Sequence, residues 1–228
     1  MIRKSIFAAA AISLAVSAVA QEPKDPPSSG NSVTPGTQGV VGDNFGYTFS
    51  DSSGAGCQFD FVDITASGAP TFSGDDVASA PIPIPTDFDF YGTQVTELVM
   101  ASNGYLSTDN TDTGPDLSND CPLPATPSTG GGARIYPIHD DLISDGFYEY
   151  FATCPRPSDQ FPVSGLGCHV FQWNNVTHFG GGGPWSFQAI LYDDSYEIVF
   201  QHLAGNPEEG SGSTTGIQNA AADDGLTY

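Results

Sequence analysis

Positive charge is what this chain has least of. Its 228 residues include five Lys and Arg against 27 Asp and Glu, a formal net charge of −22. Arg3 and Lys4 fall in the opening stretch MIRKSIFAAAAISLAVSAVAQEP, so only Lys24, Arg134 and Arg156 lie beyond residue 20, where the charge is 3 − 27 = −24. A surface this acidic repels nucleic-acid phosphates and anionic headgroups, which excludes nucleic acid as a partner. It suits a protein kept soluble in salt, or one that collects cations. Long apolar runs are missing too. The only one, residues 6–16, is too short to span a bilayer, so no membrane insertion is expected. No C-x-x-C pair is present, against a zinc or redox site. A G-x-S-x-G elbow, an H-E-x-x-H helix and any convincing amphipathic helix period are likewise absent.

What the chain does have is an address and a rhythm. The short basic start, the apolar run and Ala18-Val19-Ala20 make residues 1–20 a secretory signal peptide, with a secreted product, extracellular or periplasmic. Residues 21–43 are a flexible Pro/Ser/Gly-rich leader. Residues 44–228 form one domain whose pattern stops in mid-strand at Tyr228, as in a chain that continues. Its expected strands are NFGYTFS (44–50), QFDFVDI (58–64), TELVMAS (96–102), ARIYPI (133–138), GFYEYF (146–151), CHVFQWN (168–174), WSFQAILY (185–192), YEIVFQHL (196–203), TTGIQN (214–219) and GLTY (225–228). Gly, Pro, Asn and Asp punctuate them, and Asp193-Asp194-Ser195 closes a hairpin. The fold expected is an all-β antiparallel sandwich of roughly ten strands.

Four cysteines in an exported chain predict two disulfides. Cys154 follows the strand GFYEYF and Cys168 opens CHVFQWN, so antiparallel pairing of these neighbours sets the two face to face. Cys57 and Cys121 pair by elimination.

The stretch IYPIHDDL (135–142) looks most like chemistry. In a strand His139 and Asp141 share a side and could orient an imidazole as a base, but a nucleophile or metal would still be needed. The better reading is the polar end of a buried strand, its aspartates capping a loop over residues 142–146. In DNTDTGPDLSND (109–120), Asp109, Gly114 and Asp120 hold the first, sixth and twelfth places of a calcium loop. Threonines at two ligand places and the lack of flanking helices exclude an EF-hand. A looser calcium site through Asp109, Asp112, Asp116 and Asp120 is the candidate, weighed against a solvated acidic loop. The glycine runs at 130–132 and 180–183 lack the helix and lysine of a phosphate cradle. The second, flanked by His178, Phe179 and Trp185, is a candidate ligand rim with Trp173.

In order, FDFYGTQVTELVMASNGYLSTDN (88–110), ARIYPIHDDL, GFYEYF, FQWNNV, WSFQAILYDDSYEIVFQ and STTGIQN resemble the nidogen-like extracellular β domain and related modules of secreted bacterial proteins. The resemblance implies a non-catalytic interaction or adhesion module whose partner is an extracellular protein or glycan. It also implies that His139 stands where relatives carry a bulky aromatic, a packing slot. The competing reading is an extracellular hydrolase or carbohydrate-binding module using Trp173, His178, Phe179 and Trp185.

Overall fold

The computed structural model describes residues 42–52, 57–112, 116–160, 165–207 and 212–228; the expected signal peptide and residues 21–41 of the expected leader lie outside them. Every regular element there is a strand. In chain order they are β1 (Ala69–Asp75), β2 (Ile82–Pro83), β3 (Asp89–Phe90), β4 (Thr93–Gln94), β5 (Glu97–Ala101), β6 (Tyr105–Ser107), β7 (Arg134–His139), β8 (Leu142–Phe151), β9 (Cys168–His178), β10 (Trp185–Tyr192), β11 (Ile198–His202), β12 (Thr214–Gln218) and β13 (Gly225–Thr227). One sheet runs β1-β8-β9-β10-β11, a second β13-β12-β7-β6-β5-β2, and β3-β4 is a separate hairpin. All pairings between strands are antiparallel.

The main core lies between the two large sheets, where alternate residues of each strand meet: Leu98 and Met100, Ile135, Phe171 and Trp173, Phe187 and Leu191. Trp173 ties the sheets directly. It is fully buried, stacks on Phe187 at 5.0 Å and donates its indole N–H to the Ala101 carbonyl at 2.7 Å. Gly104, at φ +78°, turns β5 into β6 so tightly that a Cβ there would sit 1.7 Å from the Ile138 carbonyl oxygen. Only glycine fits this turn.

Two expected strands are something else. Residues 44–50 make only an isolated bridge, Gly42 to Thr48. Residues 58–64 cross the outer face of the first sheet as an extended strap held by side chains. Gln172, Gln188 and Gln201 stand opposite one another on β9, β10 and β11, and their Oε1 atoms accept the backbone N–H of Ile64, Val62 and Asp60 at 2.8–2.9 Å. Alternate residues of an extended chain are about 6.7 Å apart and strands about 4.8 Å, so the strap crosses obliquely, at roughly 45°. Ile64 and Val62 then cover Val170, Ile190 and Val199, a second apolar layer.

The segment 142–146 is another correction: it is the start of β8, not a capped loop, because it pairs with both β1 and β9. The long β8–β9 hairpin places Phe151 opposite Cys168, and the Cys154–Cys168 disulfide forms as expected, with Cα atoms 5.2 Å apart. Closing a loop of about fifteen residues contributes about 3 kcal/mol. Cys57 and Cys121 are both free thiols. Elimination failed because the two lie in different surroundings: Cys121 donates to Thr214 Oγ1 on β12, whereas Cys57 sits among Asp159, Arg156 and Glu197 beside β11.

Candidate functional site

A dense buried polar cluster lies on the outer face of the second sheet, under the chain between β6 and β7. Its geometry starts with a bulge. Between Tyr136 and His139, β7 advances three residues while β12 advances two. Ile138 therefore enters the core, and His139 joins Arg134 and Tyr136 on the outer face.

Arg134 is the hub. It is fully buried, with Nη2 3.0 Å from Asp112 and Nη1 2.6 Å from Asp116, and its side chains' partners are equally buried. Nη2 also donates to the Thr129 carbonyl at 2.6 Å, and the guanidinium lies 4.3 Å over the Tyr105 ring. Gly130, at φ +70°, lets this wall close, since a Cβ there would come within 2.6 Å of the Asp112 carboxylate.

Beside it, Tyr136 donates to Asp120 at 3.0 Å. His139 is fully buried against the rings of Tyr105 and Tyr136. Its Nδ1 faces the Asn103 carbonyl at 2.8 Å and its Nε2 the Ser118 carbonyl at 2.7 Å. Carbonyls only accept, so each ring nitrogen can bond its carbonyl only through an N–H, and Asp120 lies 3.9 Å from Nε2. Burial pushes the Asp120 carboxyl up to about 6, with His139 opposing.

Among the described residues two groups could gather a metal: Asp116, Asp120 and His139, all buried, and Asp75, Asp76 and Asp141 near the surface. In the first, His139 directs neither ring nitrogen at an open position, and Asp116 already faces Arg134 and Ser128. In the second, burial and then the neighbouring Asp76, Asp75 and Asp140 raise Asp141 to about 6.

Of the expected calcium ligands, Asp112 and Asp116 take Arg134 as their cation, Asp120 takes Tyr136, and Asp109 caps Thr111 at 2.9 Å. No three of these four form a ligand group among the described residues. The expected aromatic rim is not a surface platform. Trp173 is 0 % exposed, Trp185 3 % and His178 7 %, leaving only Phe179 outside at 39 %. Their alternation in β9 and β10 points them into the core, and His178 instead meets Asp140 at 3.0 Å.

One further constellation looks like a relay. His169 Nε2 contacts Thr86 Oγ1 at 2.6 Å, and Asp193 lies 3.3 Å from the same nitrogen. A nucleophile relay needs hydroxyl and carboxylate on opposite ring nitrogens. Here Tyr148 occupies Nδ1 at 2.9 Å, and burial depresses the imidazole, so the group ties Thr86, β8 and β9 together at one end of the sandwich.

Asn103 was not among the expected site residues, although SNGYL contains it. Its Oδ1 accepts from Leu142 N, its Nδ2 donates to Asp76, and its carbonyl receives His139. Both described basic residues were also missed. Arg156 is 1 % exposed and donates to Gln58 O and Tyr192 OH, so among the described residues no Lys or Arg reaches the surface.

Residues 46–228 match the family model described as NIDO related. No curated protein and no solved structure matches the chain. The match spans most of the sequence and covers both sheets, the SNGYL turn and the buried charge cluster. The chain belongs to the NIDO-related family.

Proposed function

We propose that this protein is a secreted, non-catalytic interaction module that works in adhesion, outside the cell or in the periplasm. The observation that carries the reading is the fate of its chemistry-bearing residues. His139, Asp112, Asp116, Asp120 and Arg134 are all buried and engaged with one another, with Tyr136 or with backbone, where they fasten residues 108–112 and 116–133 to the second sheet. The surface left over is acidic, without an exposed Lys or Arg among the described residues. The disulfide and the family are consistent with an extracellular location, and residues 1–20 supply the export signal. A cationic extracellular protein is the partner class this charge favours, through steering that weakens as salt rises.

The test is an array of immobilised extracellular proteins and glycans probed with the mature protein, run beside a panel of esterase, peptidase and glycosidase substrates. Saturable binding that weakens with salt, with no turnover, is expected. Turnover with no binding would overturn the proposal.

A further inference from the structure

We propose that β11 is a docking edge, to which an extended, cationic segment of a partner protein adds as a further strand of the first sheet. This rests on the interaction-module reading and names its site.

The edge is defined by the ladder. Tyr192 N donates to Glu197 O at 3.2 Å and Leu203 N to Ser186 O at 2.9 Å, so the odd-numbered positions of β11 bond to β10. Alternation then directs the backbone N–H and C=O of Ile198, Phe200 and His202 to the other side. Among the described residues no strand lies there, and these groups have no backbone partner. Natural edges are blunted by proline, lysine or a bulge. Ile198–His202 has no proline and no lysine, and its register against β10 is unbroken. The opposite edge, β1, carries a bulge between Pro70 and Phe72.

The space beside the edge suits side chains. Here the sheets part around a cleft of about 540 Å³, within the range of ligand sites. Ile198 and Phe200, only half-buried, face Ile217 and Leu226 across it. Three of the seven exposed large hydrophobics among the described residues line the cleft: Phe59 at 57 %, Tyr196 at 52 % and Tyr228 at 43 %. Apolar surface collected at one unprotected edge fits strand addition, with backbone bonds for affinity and alternate side chains in the cleft for selectivity. The charge of the occupant follows from the walls. Asp51 lines the cleft and Asp60 lies on the strap beside it, while Glu197 is buried against Ser158 and Asp159 N and Arg156 is buried against Asp159.

The probe is a ten-residue peptide of alternating Val and Lys, followed by fluorescence anisotropy with the mature protein. In antiparallel addition the cleft-facing valines carry the amides that meet β11. N-methylation of the valines should weaken binding at least tenfold, and N-methylation of the lysines should leave it nearly unchanged. Hydrogen exchange at Ile198, Phe200 and His202 should slow on binding. A Val/Glu peptide should bind at least tenfold more weakly. Ile198→Pro, which removes an N–H not bonded to β10, should reproduce the loss, and the exchange data serve if that variant does not fold. Equal binding of both methylated peptides, protection elsewhere, or self-association through this edge in place of peptide binding would overturn the proposal. Wild-type protein that binds array components but ignores the peptide would overturn the edge and leave the module reading standing. Protein that binds neither would remove both.

Discussion

Replacing Arg134 with methionine should destabilise the domain severely, and the structure sets the size. The substitution keeps much of the aliphatic volume over the Tyr105 ring but removes the charge facing two carboxylates, Asp112 at 3.0 Å and Asp116 at 2.6 Å, all fully buried. Breaking a buried ion pair by deleting one partner costs about 3–5 kcal/mol, because the other charge is stranded away from water. For a domain of this size that is a fall in melting temperature of about 6–20 °C. Thermal unfolding followed by circular dichroism at pH 7 is the assay, read against the triple variant Arg134→Met, Asp112→Asn, Asp116→Asn. With no carboxylate left to strand, the triple variant should recover most of the loss, a coupling that only contacting residues show. Calcium provides a second arm. With Arg134 in place calcium and chelator should give closely similar melting, whereas in Arg134→Met the two vacated carboxylates should make calcium stabilising. A single variant melting within 2 °C of wild type, or a triple variant no better than the single, would refute the reasoning.

Three other outcomes follow from the same geometry. His139→Phe should fold but lose about 1–3 kcal/mol, since the buried Asn103 and Ser118 carbonyls lose the ring nitrogens they face, and urea unfolding would measure it. Asp120, raised to about 6 from an ordinary 3.8, binds a proton in the folded state that it gives up when unfolded. Its contribution is therefore present at pH 4 and is lost as pH rises through about 6, by roughly 3 kcal/mol at most, and Asp120→Asn should flatten that part of the stability profile. Gln188→Ala removes both side-chain bonds to Val62, so strap amides 60–64 should exchange faster, with about 1–3 kcal/mol lost from the whole domain.

Where strands alternate strictly, as in WSFQAILY and CHVFQWN, period and partner were legible, and the Cys154–Cys168 bridge followed from the hairpin alone. QFDFVDI alternates equally well yet bonds to glutamine amides, not to a neighbouring backbone, and periodicity cannot tell these apart. A signal for it was present: Phe171-Gln172, Phe187-Gln188 and Phe200-Gln201 repeat one dipeptide in three adjacent strands, Phe inward and Gln outward. The tryptophans misled because aromatics flanking a glycine run resemble a rim, while the pairing of β9 with β10 turns Trp173 and Trp185 inward. The acidic loop reads differently once folded. Its partner cation is Arg134, well outside the twelve residues that suggested an ion, and only the fold brings the two together. His139 at the end of a buried strand was legible; that β7 bulges to place it beside Tyr136 was not.

The central claim is that the buried His139–Asp120–Arg134 cluster holds structure and performs no chemistry. The most direct test compares wild type, His139→Phe and Asp120→Asn, each corrected for its folded fraction, for binding on the extracellular array and for turnover on the hydrolase panel. Unchanged binding per folded molecule and no turnover in any of the three is the predicted result. Turnover by wild type that either substitution abolishes, with folding and binding intact, would contradict it.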